Sequence, residues 1–226
     1  DSYPYIVAGA ILHTGYQLFL LNSYRFGNLS SVYPIARGIA PLLVASFSIV
    51  FLRVDFGMFE LLAITFIAGG LISLAFAGKQ DSRGDLHGSI LAIVTGTFIA
   101  SYTLVDGLGA REAGNALGFY GWLSTLNALI FSVIMRWTRP GLVKTTVSTD
   151  WRMTLSLGSI SFLAYALAIW AFTMAPIALV AALRETSIVF AFFLGICFLK
   201  EKVTLVKLLS IIMIVCGVIV LRTAGA

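Results

Sequence analysis

Charge is scarce in this chain. Of 226 residues, 15 are Lys or Arg and 10 are Asp or Glu, 11% in all, where a soluble domain carries about 25%. That shortage leaves no room for a soluble domain. It also makes the net charge of +5 a matter of loops meeting lipid headgroups and of membrane orientation, not of nucleic-acid binding. Cysteine is nearly absent: Cys197 and Cys216 both sit inside apolar runs and read as buried free thiols, not a disulfide or a metal site. Enzyme motifs are missing as well. There is no HExxH, no GxSxG, no P-loop and no Cys/His cluster of metal spacing, so no catalytic residue, cofactor or metal is expected. The chain opens Asp1-Ser2-Tyr3-Pro4 without an initiator Met or a signal-peptide pattern, which reads as a cut end.

Apolar length is what the chain does have: 59% hydrophobic residues and a mean hydropathy of +0.98. Runs of about 20 apolar residues match a hydrocarbon core of about 30 Å. Eight such runs predict transmembrane helices at 5–24, 31–52, 57–78, 86–106, 115–135, 153–174, 177–199 and 204–222. The expected class is an all-α polytopic membrane protein. Connections are short except for Arg136 to Arg152, where Arg139-Pro140-Gly141 and a Thr/Ser-rich segment predict a surface loop.

The chain repeats itself. Arg184 minus Arg37 is 147, and sliding the chain by 147 aligns Arg37–Gly78 with Arg184–Gly225 without a gap. Of these 42 positions 13 are identical, among them Arg37/Arg184, Phe51/Phe198, Leu52/Leu199, Gly70/Gly217 and Gly78/Gly225. From the second predicted helix to the seventh is five crossings, so the two copies run in opposite directions across the bilayer. Inverted repeats of this kind mark secondary transporters. The complete form is ten helices as five plus five. Residues 1–78 are then a first repeat lacking its first two helices, and 85–226 a complete second one. Asp85 minus 147 falls before residue 1, so about 60 residues are expected to precede Asp1.

Small residues recur every fourth position at Gly88, Ala92, Gly96 and Ala100, and again at Gly69, Gly70, Ser73 and Ala77. Both stripes predict close helix packing, not ligand contact.

The polar residues inside the apolar runs are the site candidates. Arg37 and Arg184 lie seven or eight residues into their helices, roughly 10–12 Å from each start at 1.5 Å per residue. A charge inside a bilayer costs roughly 3 kcal/mol or more unless it faces protein or water. The two guanidinium groups approach the midplane from opposite faces and suit a carboxylate or phosphate; capping a neighbouring helix or snorkelling is the bland alternative. Glu185 is about 100° around the helix from Arg184, and pairs with a residue on another helix such as Arg37, as a counter-ion or as a proton-coupling carboxylate. Pro41 frees the Arg37 carbonyl and sets either a site element or a packing kink. His13, Tyr16 and Gln17 share a helix face with three- and four-residue spacing. Tyr165 and Trp170, Tyr120, Trp122 and Asn127, and Tyr102 and Asp106 add polar and aromatic groups from other helices, as cavity lining or, near helix ends, as interfacial anchors. His13 reads as an interhelical hydrogen-bonding residue ahead of a proton relay. The substrate-binding set is therefore Arg37, Arg184, Glu185, His13, Tyr16, Gln17, Tyr102 and Tyr165.

At Pro34-Ile35-Ala36-Arg37-Gly38-Ile39-Ala40-Pro41, and at Ala182-Leu183-Arg184-Glu185-Thr186-Ser187 through Phe198-Leu199-Lys200-Glu201-Lys202, the chain resembles the EamA-type family of the drug/metabolite transporter superfamily. Glu201 and Gly217 fit that pattern too, and the resemblance covers essentially the whole chain. It implies a ten-helix fold of two inverted five-helix repeats, a multi-pass protein of a bacterial inner membrane, and export or uptake of small metabolites. A fainter similarity to a phosphonate-utilisation-associated subgroup suits the two arginines. The sequence departs from the family in lacking the first two helices, and in having no embedded Glu on the 86–106 helix.

Orientation divides the indications. Ten Lys and Arg fall in one set of alternate loops and three in the other, which places the C-terminus outside; the resemblance implies cytoplasmic termini. The count is preferred. The expected function is secondary transport of a small polar metabolite, anionic or zwitterionic, by alternating access. The partners are that small molecule, the lipid bilayer and a coupling proton. A membrane scaffold that kept the repeat fold is the alternative.

Overall fold

A computed structural model describes residues 2–26, 29–76, 85–199 and 203–224. Among these every regular element is an α-helix, as hydrocarbon demands of a chain whose backbone groups have no water to bond. The helices are α1 (Tyr3–Phe26), α2 (Leu29–Val50), α3 (Met58–Phe76), α4 (Asp85–Ala113), α5 (Ala116–Thr138), α6 (Leu142–Thr149), α7 (Trp151–Met174), α8 (Ile177–Arg184), α9 (Ser187–Leu199) and α10 (Leu205–Ala224). Seven stretches among the described residues are long and apolar enough to cross a membrane, and α3 is a shorter apolar helix. These seven and α3 lie at the eight expected positions. The predicted 57–78 helix runs past Phe76 into residues outside the described ones, and these also hold Ala77, Gly78, Lys79, Arg83, Lys200, Glu201, Lys202 and Gly225.

Local chemistry sets the helix ends. Gly114 ends α4 with a left-handed φ of 64°, a conformation glycine adopts without strain. Asn115 caps α5 by accepting from the Gly118 N–H at 2.9 Å. Pro176 immediately precedes α8, where its missing N–H leaves no helical bond unmade. Hydroxyls inside the spans bond back to their own helices, as Thr14 does to the Ala10 carbonyl and Thr95 to the Leu91 carbonyl. Helix α2 stays one helix through Pro34 and Pro41.

Two predicted elements differ. The 177–199 run is not one helix but two, α8 and α9, separated at Glu185-Thr186. There the backbone tightens to three-residue bonds: Glu185 N–H to Ala182, Thr186 N–H to Leu183, Ile188 N–H to Glu185 and Val189 N–H to Thr186, all 2.9–3.1 Å. The Arg136–Arg152 surface loop contains helix α6, because the left-handed Gly141 (φ 90°) turns the chain into a new helix.

The chain divides into two compact units. The first comprises Asp1–Gly15 and Leu104–Ala175, the second Tyr16–Thr103 and Pro176–Ala226. In the first, polar side chains tie helices together. Asn127 of α5 donates to the Thr14 hydroxyl of α1 at 2.9 Å. Arg111 of α4 donates to the carbonyls of Phe172 and Ala175 at the end of α7, each at 2.8 Å, a cation on the negative end of a helix.

In the second unit, backbones meet. A Cβ on Gly70 of α3 would lie 2.7 Å from Ile214 and 2.8 Å from the Ser210 carbonyl of α10. A Cβ on Gly217 of α10 would lie 2.8 Å from Ile67 and 2.9 Å from the Ala63 carbonyl of α3. Each contact is the other shifted by 147 residues, since 67 and 214, 70 and 217, and 63 and 210 are all equivalent positions. Contacting numbers fall on α10 as they rise on α3, so the helices are antiparallel and an approximate local two-fold relates them. Ser73 and Ser210 hydrogen-bond at the same seam, at 2.8 Å. The stripe on α4 packs as expected: Ala92 and Ala100 are buried, and a Cβ on Gly96 would lie 2.8 Å from the Ala36 carbonyl of α2.

Large apolar side chains such as Ile11, Leu163, Phe190 and Ile219 face outward, the surface a spanning helix turns to lipid. Cys197 and Cys216 are free, but both are exposed on that surface. Their expected burial is corrected: an apolar neighbourhood in sequence here signals lipid as readily as core.

Candidate functional site

The eight candidates separate into two clusters, one in each unit. In the first unit Asp106 of α4 is the centre. Its side chain is 0% exposed. Its Oδ2 lies 2.7 Å from His13 Nε2 of α1 and accepts the Tyr165 hydroxyl of α7, also at 2.7 Å. The His13 and Tyr165 rings meet edge to face at 5.4 Å. Tyr120 of α5 stacks on Phe162 at 4.9 Å and lies 5.1 Å from the Tyr165 ring. Asp106 Oδ1 is buried without a partner among the described residues, and a Cβ on Gly9 would come within 2.7 Å of it. Three helices thus converge on one carboxylate that only a glycine lets α1 approach. Such a group can hold a proton or the positive charge of His13 away from water.

Asp106 was visible in the sequence only as one polar residue of the 86–106 helix and stood outside the candidate set. Its position near a predicted helix end gave no signal of burial. The helix in fact continues to Ala113, which draws Asp106 inside.

In the second unit Arg37 of α2 meets Glu185, with Nε 2.6 Å from Oε2. Both are well buried, the side chains 15% and 6% exposed. The pairing foreseen between Glu185 and Arg37 is therefore what the structure holds. Arg37 Nη2 reaches the Ser187 hydroxyl at only 3.5 Å, and the guanidinium lies over the Tyr33 ring at 5.5 Å from its centre. Tyr16 of α1 packs edge to face on Tyr102 of α4 at 5.5 Å. Tyr16 lies within electrostatic range of Arg37, Arg184 and Glu185. Arg184 is half-buried in the last turn of α8, where it opposes the negative end of that helix. Gln17 follows on α1, half-buried. Of the sequence candidates, Arg37, Glu185, Arg184, Tyr16 and Tyr102 are gathered here, while His13 and Tyr165 belong to the Asp106 cluster. Trp122 and Trp170, considered as lining, are 71% and 55% exposed, as interfacial or lipid-facing aromatics are.

The break between α8 and α9 falls at the ion pair. There the last carbonyls of α8 and the first N–H groups of α9 exchange the four-residue helical pattern for three-residue bonds, and the Thr186 hydroxyl also donates to the Leu183 carbonyl at 2.8 Å. Among the described residues no group of three His, Cys, Asp or Glu is arranged to hold a metal ion.

The family model described as the EamA-like transporter family matches residues 86–223, more than half of the chain. No curated protein matches it. A chain of a solved crystal structure has the same fold at TM-score 0.76 and 18% identity. The match covers 99% of this chain and 79% of the other.

Proposed function

The chain belongs to the EamA-like transporter family, and on that premise we propose that it moves a small anionic or zwitterionic metabolite by alternating access, with Arg37, Glu185 and Arg184 as the charged part of its substrate site. The family consists of multi-pass membrane transporters, not enzymes. One observation carries the finer reading: a buried Arg37–Glu185 pair beside the α8–α9 break, with a second arginine next to it in sequence. Glu185 engages the Nε of Arg37, so the Nη edge is the one a substrate carboxylate or phosphate would take in a bidentate grip. An amino group on a zwitterion would go to Glu185. Tyr16, Tyr102 and Gln17 would supply hydroxyl, amide and ring contacts.

The reciprocal contacts of α3 and α10 support a five-plus-five inverted repeat. Equivalent helices that pack antiparallel about a local two-fold are what two oppositely oriented copies bring together. The His13–Asp106–Tyr165 cluster is the better seat for a coupling proton than Glu185. Its carboxylate is fully buried and tied to the one side chain whose ordinary titration lies near neutrality.

A thermal-shift screen tests the reading. The purified protein in detergent would meet amino acids, organic acids, phosphorylated metabolites, phosphonates and lipophilic cations, in parallel with Arg37→Ala and Arg184→Ala. A ligand at 100 times its dissociation constant stabilises by about 2.7 kcal/mol. An anion or zwitterion is expected to stabilise the parent and neither variant. Stabilisation by cations alone would refute the substrate class. No shift with any ligand, in folded parent and variants, would favour a scaffold. With a ligand in hand, uptake into proteoliposomes should follow an imposed pH gradient in the parent and lose that dependence in Asp106→Asn.

A further inference from the structure

The first unit holds a further polar site, built from residues other than those of the Asp106 cluster. Where α5 ends and α6 begins, a pocket of about 670 Å³ is lined by three cations, Arg136, Arg139 and Lys144, with no Asp or Glu among its lining residues. On α5 the lining positions Leu129, Val133 and Arg136 follow one another by four and three residues, which is one face of the helix. That face passes from apolar to cationic over seven residues, about 10 Å. Leu129 and Val133 are 60% and 55% exposed, so the apolar stretch is open to what surrounds the helix. The left-handed Gly141 reverses the chain and brings Lys144 of α6 to the same pocket as Arg136 in the last turn of α5. Ser132 and Ser148 complete the polar lining.

Depth decides what occupies such a pocket. α5 and α7 are both of spanning length and composition. Trp137 at the end of one and Trp151 at the start of the other are 82% and 54% exposed. Tryptophans so placed sit at the headgroup level of a bilayer. The pocket therefore combines three cations at headgroup depth with an apolar wall leading toward the hydrocarbon. A free anion would use only the cations; an anionic phospholipid uses both ends.

We propose that this pocket binds an anionic phospholipid, its phosphate held by Arg136, Arg139 and Lys144 and an acyl chain lying along Leu129 and Val133. Basic pockets beside transmembrane helices hold acidic headgroups in this way.

Native mass spectrometry of the purified full chain, offered equal phosphatidylglycerol and phosphatidylcholine, tests this. The parent is expected to retain phosphatidylglycerol preferentially. The triple variant Arg136→Ala/Arg139→Ala/Lys144→Ala should lose roughly tenfold or more of that retention. Arg136→Lys/Arg139→Lys, which keeps the charge, should stay close to the parent. Arg53→Ala/Arg222→Ala, which removes two cations elsewhere, should leave the preference unchanged. Equal retention of the two lipids by the parent, or a triple variant that still prefers phosphatidylglycerol, would overturn the proposal. Displacement of the lipid by millimolar inorganic phosphate would overturn the choice of lipid over soluble anion. All variants have exposed positions in common, and a monodisperse elution profile in detergent checks that each is folded before its lipids are counted.

Discussion

The two units hold their helices together by different means. In the first, α1, α4, α5 and α7 are tied by side-chain hydrogen bonds: His13 and Tyr165 on Asp106, Asn127 on Thr14, Arg111 on the end of α7. In the second, α3 and α10 meet backbone to backbone at Gly70 and Gly217, and the charged pair Arg37–Glu185 stands beside a broken helix. Lipid is as apolar as leucine, so helices gain nothing from hydrophobic burial against one another. Either a polar bond that lipid cannot replace, or backbone proximity that multiplies dispersion contacts, has to do the work. The first unit uses chiefly the former and the second the latter. A seam of glycines fits a bundle whose close contact is symmetric. A buried carboxylate fits a cluster in which side chains of α1 and α7 meet on α4.

Mutations can break this contrast. The largest effect is expected at Asp106→Leu. It removes the common acceptor of two buried donors, and at roughly 1.5 kcal/mol for each bond to a charged group it should cost about 3 kcal/mol of stability in detergent unfolding. A cost below about 1 kcal/mol would mean that the cluster is no stronger than an ordinary interhelical bond. Gly70→Val comes next at about 2 kcal/mol, because its Cβ meets a backbone carbonyl that cannot rotate away. Gly158→Ala, mid-helix in α7 with nothing within 4 Å of its Cβ, is the unobstructed counterpart and should not destabilise. Gly217→Val should match Gly70→Val if the local two-fold governs the seam, and a large inequality between them would break that symmetry. Arg111→Ala removes a helix-end cation and should cost about 1 kcal/mol. Ser73→Ala breaks one neutral hydroxyl bond and should cost about 0.6 kcal/mol, read as a small fall in the midpoint of thermal unfolding.

Much of the architecture was legible because apolar length and glycine spacing are one-dimensional signals. The spans, the internal shift of 147 and the packing stripes on α3 and α4 all follow from them. So did the pairing of Glu185 with Arg37, since an embedded carboxylate needs a cation and the repeat supplied one on another helix. The break at Glu185-Thr186 was not legible. No glycine or proline marks it, and Ala-Leu-Arg-Glu-Thr-Ser continues a good helical pattern. Helix α6 was hidden for the opposite reason, its Thr/Ser-rich composition being that of a loop. Cys197 and Cys216 were misplaced because hydropathy does not tell lipid from core.

The sequence by itself determined that this chain lives in a membrane, repeats itself, and carries arginines where hydrocarbon makes them costly. Those are properties of residue type and spacing along a line. Only the tertiary structure decided which polar groups meet: His13 and Tyr165 on Asp106 in one unit, Tyr16, Tyr102 and Arg184 around the Arg37–Glu185 pair in the other. Facing across helices depends on rotation, register and the point where a helix stops, and each of these is settled by packing against neighbours far away in sequence.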